Sequence, residues 1–269
     1  MTEQNERARA SEDTLGDRLK AEEQKEAGRR LRHDLPIIAR LDGKAFHTFT
    51  RGLERPYDTR LSQLMEDTTK YLVEKTHAKI GYTQSDEISL SWWQGDLSDG
   101  SESSYAFDAK IQKLCSVYAG MASGFFNRHL PARIPEKSDS IIAFDCRVWN
   151  VADVHEVFLN YLWRQDDAIK NSISMAAQAR FSHKQLHGVD SEGKKQLLRS
   201  IGKPWEDEPL FFRMGTFVQR ITKNIELTKD QLDKIPENYR PIGTVVRSVV
   251  ENIRLGYIKD DLAARKIFA

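Results

Sequence analysis

The sequence predicts an α+β fold: one antiparallel sheet in the split βαβ arrangement, with helices packed on one face and further helical extensions. Three observations predict it. Apolar runs and helical periods follow in the order β-α-β-β-α-β, then a helix and another strand. The two β-rich runs on either side of Gln84-Ser85-Asp86-Glu87 read as a hairpin, with Ile88, Leu90 and Trp92 alternating with polar neighbours. With 269 residues, 39% of them apolar, the chain is long enough for one or two domains with a real core.

Each element has its own local signal. Pro36 to Leu41 is a short apolar run closed by Asp42-Gly43, a buried strand ending in a turn. Thr59 to Thr76 carries Leu61, Leu64, Met65, Leu72 and Val73 at helical spacing, with Asp58 or Thr59 as the amino-terminal cap. Gly95 to Ser104 is a Gly/Ser/Asp loop. Phe107 to Arg128 reads as a second helix, Ile141 to Trp149 as a strand, Val154 to Phe181 as a long helix and Phe211 to Lys223 as a further strand. Residues 186–209 read as loop, and the charged tail is mixed, with helix over 260–267.

Half of the first 34 residues are charged, and Leu15, Leu19 and Leu31 sit near helical spacing. A polar arm over 1–34 that is partly helical fits this, with one face of 14–32 docked or the whole arm solvated. The main domain spans 35–223, long helix included, and 224–269 is an extension packed on it.

Composition excludes several classes. Forty-one Lys and Arg against forty Asp and Glu leave a net charge of +1, which rules out a blanket polybasic nucleic-acid binder but not a local basic patch. Cys115 and Cys146 are the only cysteines, too few for a disulfide framework or a Cys-rich zinc site. No stretch approaches the roughly 18 apolar residues of a membrane helix, and the amino terminus has no hydrophobic signal core, so a soluble cytoplasmic protein is expected.

The chemistry is concentrated at two places. Asp42 closes the first strand, and Asp86-Glu87 occupy the hairpin turn, which in a split βαβ sheet places them at one edge of neighbouring central strands. Carboxylates gathered there repel unless a cation lies between them. Mg²⁺ suits such a set, because it takes one or two protein carboxylates and fills its other positions with phosphate and water. Two such ions clamp the attacking and leaving oxygens of a phosphoryl or nucleotidyl transfer. Gly43 lets its backbone approach a metal or phosphate closely. Read alone, each turn is as well explained by ordinary turn chemistry.

The blocks Ala39-Arg-Leu-Asp-Gly-Lys-Ala-Phe-His47, Arg55-Pro-Tyr-Asp58 and Tyr82-Thr-Gln-Ser-Asp-Glu87 together resemble the tRNA-His guanylyltransferase family, whose members include 3′-to-5′ polymerases that repair tRNA 5′ ends. Lys110 with Gln112-Lys113-Leu114, Phe144-Asp145-x-Arg147, Trp163-Arg164-Gln165 and Arg213-x-Gly215-Thr216 extend the resemblance over roughly residues 13–220. It implies a polymerase-type palm. It also implies a catalytic set of Asp42, Asp86 and Glu87, with Asp42, the Gly43 carbonyl and Asp86 holding two Mg²⁺ ions. Nucleotide binding would fall to the run Asp42, Gly43, Lys44, Ala45, Phe46 and His47, together with Ser85. Arg55, Lys110 and Arg40 would sit on the triphosphate. The implied reaction uses ATP to adenylylate a tRNA 5′-monophosphate, after which the 3′-hydroxyl of GTP or another nucleoside triphosphate attacks that end and expels AMP.

Arg164, Gln165, Asp167, Lys170 and Asn171 on the long helix read either as a charged solvent face or, by resemblance, as an RNA contact. The eukaryotic branch carries a His-Ile-Asn-Asn-type motif here, whereas this chain reads Ala168-Ile169-Lys170-Asn171, and Met214 stands where many relatives are basic. That departure places the chain nearer the bacterial-type members, with template-dependent repair favoured over strict addition to tRNA-His. Family members are oligomers, and a neutral chain gains basic surface by pairing, so a dimer or tetramer is expected. A palm-type nucleotidyl cyclase and a non-catalytic RNA-binding module remain as alternatives. His183 and His187 read as a surface pair, Trp92 as core and Cys115 as a small buried hydrophobe.

Overall fold

A computed structural model of the protein describes residues 3–94, 105–241, 243–260 and 266–268. Six strands form one antiparallel sheet in the order β4-β1-β3-β2-β5-β6: β1 (Ile37–Gly43), β2 (Ile80–Gln84), β3 (Glu87–Trp92), β4 (Phe144–Asn150), β5 (Thr216–Glu226) and β6 (Thr244–Ile253). The helices are α1 (Glu3–Ala27), α2 (Phe46–Phe49), α3 (Thr59–Thr76), α4 (Ile111–Arg133), α5 (Val154–Gln178), α6 (His183–Leu186), α7 (Ser191–Ser200), α8 (Leu210–Met214) and α9 (Lys229–Leu232). Helix α3 begins at Thr59 because the Asp58 carboxylate accepts a hydrogen bond from the Arg60 amide.

Alternation along β1 supplies both faces of the sheet. Ile37, Ala39 and Leu41 join Ile88, Leu90 and Trp92 of β3 under α3 and α4. Ile38, with Ile80, Tyr82 and Phe217, packs under Val157 and Tyr161 of α5. The Tyr161 hydroxyl ties α5 down through hydrogen bonds to the Ile80 carbonyl (3.1 Å) and Ser91 Oγ (3.0 Å). The two helices of the split repeat therefore share one face, as expected, but the long helix covers the other. Helical periodicity identifies an apolar stripe without saying which side of the sheet receives it.

Other expectations are corrected. The run from Phe211 is not one strand: α8 stops at Gly215, which takes φ 72° and lies so close to Tyr82 that a Cβ there would meet its hydroxyl oxygen at 2.4 Å. Residues 186–209 hold α7, capped by Asp190 and anchored by the buried Leu198. The tail contributes the edge strand β6. Most of the helix expected over 260–267, and the loop over 95–104, lie outside the described residues. Leu15 and Leu19 are exposed on α1, so no docked face runs through them. Leu31, beyond the helix, packs against the core, and its amide donates to the Ala109 carbonyl. Trp92 is core. Among the described residues no helix is long and apolar enough to cross a membrane.

Candidate active site

The sheet register arranges the site in rows on the α5 side. Asp42 pairs with Glu87 of β3 on one flank and Asp145 of β4 on the other, giving an acidic row across three strands. Two residues back, Arg40 lies between Ser89 and Arg147, a basic row beside the acidic one. The outer acids are answered by arginines. Arg147 bonds Asp145 at 3.1 Å, and Arg164 of α5 grips Glu87 through Nε–Oε1 (2.7 Å) and Nη2–Oε2 (2.6 Å). Asp42, in the middle, has no ion-pair partner among the described residues.

Asp86 joins Asp42 from the β2–β3 turn, and the Gly43 amide donates to the Asp86 carbonyl at 3.1 Å, locking the two turns together. Burial, and after it the Asp42 charge, pushes the Asp86 carboxyl above its ordinary range. The backbone here is strained: Ser85 and Ala45 both take left-handed φ, 51° and 58°, without being glycine. Gly43 is obligatory, since a Cβ would meet the Phe46 ring at 2.1 Å. Phe46 is buried in an aromatic cluster with Phe49, Phe126 and Phe144, which props the turn, and it also lines the larger of two neighbouring cavities. Lys44 and His47 are exposed, and the Lys44 amide is spent on the Ala143 carbonyl.

Two cavities meet at Gln84, Ser85, Asp86 and Asn171. One, of about 340 Å³, is walled by His47, Tyr57, Leu61, Met65, Met175, Phe211 and Phe212, an aromatic and thioether pocket suited to a planar ring. The other, of about 310 Å³, is polar, lined by Arg40, Asp42, Glu87, Arg147, Arg164 and Asp167.

Several expected site residues move. Gln165 is fully buried: its amide donates to the Met214 and Gly256 carbonyls and its oxygen accepts from the Ile258 amide, so it is no RNA contact. Arg164 is 6% exposed and committed to Glu87 and Asp167. Burial works against its charge, but the hydrogen bonds and field of Glu87 outweigh it, and the guanidinium pKa lies above its ordinary value. Each Glu87 oxygen accepts a hydrogen bond from Arg164, so the direct role of Glu87 in this structure is to hold that guanidinium. Asp167 accepts from Arg164 and Asn171; of the expected RNA-facing set only Lys170 and Asn171 are exposed.

Lys110 starts α4 at the far end of the sheet, with its backbone bridged to Arg30, while Ser123 Oγ of the same helix accepts from Phe144 N beside Gly43. Thirteen helical residues separate the two, about 20 Å of rise. Arg55 lies on the exposed loop before α3 and lines neither cavity, although Glu54 and Tyr57 around it do. Sequence reasoning missed Tyr57, Phe211 and Phe212 because their cavity is assembled from four separate segments. Cys115 is half-buried and hydrogen-bonded to Cys146, not an isolated core residue.

The donor chemistry fits a hard divalent cation. Asp42 and Asp86, neither with a basic partner among the described residues, lie together beside Gly43, and a pair of carboxylates is the protein share that Mg²⁺ takes when phosphate and water fill its other positions.

The family described as tRNAHis guanylyltransferase matches residues 17–152. A bacterial tRNA(His) guanylyltransferase-like protein in complex with ATP superposes with a TM-score of 0.76 at 32% identity, over 94% of this chain and 98% of that one. A second such structure, in complex with GTP, gives 0.72 at 28% identity over 95% and 100%. The tRNA(His) guanylyltransferase of Schizosaccharomyces pombe is 28% identical over 70% of this chain and 74% of its own. The chain belongs to the tRNA-His guanylyltransferase family and is a nucleotidyltransferase of the tRNA guanylyltransferase type.

Proposed function

We propose that this chain is a Mg²⁺-dependent 3′-to-5′ nucleotidyltransferase that repairs tRNA 5′ ends by template-dependent addition. The observation that carries the reading is the unpaired Asp42–Asp86 carboxylate couple at the junction of an aromatic cavity and an arginine-lined one. That arrangement supports two nucleotide-bearing substrates meeting at one point. The solved neighbours bound to ATP and GTP support the use of both as substrates.

Asp42, the Gly43 carbonyl and Asp86 would hold two Mg²⁺ ions. When bound, they supply charge neutralisation and activation of the attacking hydroxyl. The remaining work is done by the chain itself. Tyr57, Phe211 and Phe212 offer ring faces to a base, and His47 lines the same pocket. Arg40 and Arg147 place fixed positive charge where phosphate charge develops. Glu87 acts at one remove, by fixing Arg164. In the two-step reaction the 5′-monophosphate attacks the α-phosphorus of ATP and releases pyrophosphate. The 3′-hydroxyl of the incoming nucleotide then displaces AMP.

Template dependence is supported by Ala168, a small buried residue in the wall of the aromatic cavity where the eukaryotic motif begins with histidine. Position 168 offers no polar side chain of its own to the base, which supports base choice by pairing with the opposite strand. The net charge of +1 further supports a dimer or tetramer that pools basic surface for tRNA.

The test is incorporation of labelled nucleotide at the 5′ end of a 5′-truncated, monophosphorylated tRNA with ATP and Mg²⁺. Addition set by the opposing base, and lost in Asp42→Ala and Asp86→Ala, is the expected result. Addition of G alone to full-length tRNA-His would replace repair with strict guanylylation. No addition to any 5′ end by folded wild type would overturn the polymerase reading.

A further inference from the structure

Trp163 is out of place as a structural residue. It lies on α5, 53% exposed, although large aromatics on a soluble surface ordinarily bury most of their area. Its ring is held by two guanidinium groups, Arg164 at 4.5 Å and Arg40 at 5.6 Å from the centroid. Both arginines line the polar cavity with Asp42 and Asp86. Arg164 is itself fixed by its bidentate pair with Glu87, so the ring stands on a rigid base. Leu159, one turn earlier and also exposed, continues the apolar strip along α5.

We infer that Trp163 is a stacking platform for the base of the 5′-terminal nucleotide of the RNA substrate, whose phosphate lies on Arg40. The occupant follows from charge and shape. The aromatic cavity already provides ring faces for one nucleotide, while the polar cavity is lined by arginines and no ring, and Trp163 stands against two of those arginines. A strand end arriving there meets cationic groups for its phosphate and, in Trp163, a ring with half of its surface exposed for its base, a combination that recognises single-stranded nucleic acid without regard to sequence. The inference rests on the RNA-repair reading for the identity of the substrate, but its test needs no chemistry.

Binding of 5′-monophosphorylated tRNA is measured without nucleotide, alongside binding of ATP, for wild type, Trp163→Ala and Trp163→Phe. Stacking of one base predicts about 5- to 150-fold weaker tRNA binding by Trp163→Ala, the range of one base–aromatic stack. Trp163→Phe should retain most of the affinity, and ATP binding and thermal stability should be unchanged in both. A tRNA whose 5′-terminal nucleotide is abasic should bind wild type as weakly as intact tRNA binds Trp163→Ala, with no further loss in the variant. Equal loss for intact and abasic tRNA, or unaltered tRNA binding, overturns the platform. A fall in ATP affinity and melting temperature together overturns it too, because the ring would then merely shield the Arg164–Glu87 pair. Failure of nucleotide addition with this binding pattern intact would sink the repair reading and leave the platform standing.

Discussion

Arg164 and Glu87, 77 residues apart, form a two-pronged ion pair in which each residue is less than a tenth exposed. Removing one partner strands the other in the interior. Arg164→Ala is expected to cost about 3–5 kcal/mol in urea unfolding. The double change Glu87→Leu with Arg164→Met should cost less than either single change to alanine. An additive double mutant would mean that the pair is not coupled.

Asp86 carries a charge penalty from burial and from Asp42. The folded chain holds the Asp86 proton more tightly than the unfolded chain. Metal-free stability contributed by this group therefore falls as pH rises from the ordinary carboxylate range through the raised value. Asp86→Asn should stabilise the metal-free protein at neutral pH by about 0.5–2 kcal/mol. Mg²⁺ should raise the melting temperature of wild type and leave that of Asp86→Asn unmoved.

Gly43→Ala drives a methyl into the Phe46 ring, which the surrounding phenylalanines cannot release. Overpacking of about 1–3 kcal/mol is expected, with loss of nucleotide addition. Gly120→Ala, on α4 with open space around it, should instead be neutral or slightly stabilising in the same melts.

Lys110→Ala tests the geometry of a single chain. At about 20 Å from the site along α4, it should leave ATP affinity within about twofold. A tenfold loss by titration calorimetry would mean that a second subunit brings its own Lys110 to the site.

The Cys146 hydrogen bond pulls the Cys115 thiol below the ordinary range, with burial opposing. More of it is thiolate at neutral pH, so iodoacetamide should modify Cys115 before Cys146, and its alkylation rate should level off at lower pH than that of free cysteine. Cys146→Ala should remove the advantage, read by peptide mass spectrometry.

What the sequence made legible is local. Asp42-Gly43 and Ser85-Asp86 end their strands in turns, and turn chemistry is written in adjacent residues; that put two strand ends and one site edge in view. Glu87 opposite Arg164, or Tyr57 against Phe211, depends on how distant segments dock, and no spacing encodes that. The place of Lys110 was not legible, because α4 sets its first turn about 20 Å along the helix from Ser123, which reaches Phe144 beside Gly43. The strand Thr244–Ile253 is not legible in the sequence because its valines sit in a charged tail and its half-exposed face gives no continuous apolar run; only pairing with Thr216–Glu226 defines it.

The row Asp145–Asp42–Glu87 has a consequence for how such a protein can change over time. Along β1 the odd positions Ile37, Ala39 and Leu41 build the core, while Arg40 and Asp42 at the even ones face the substrate side. A single inserted or deleted residue within the strand would exchange the two sets, burying charge and exposing oil in one event. Point substitutions at the cavity rims can therefore drift and retune which strand end is accepted. The strands that carry the row are closed to insertion, and novelty in length is confined to the connections between them.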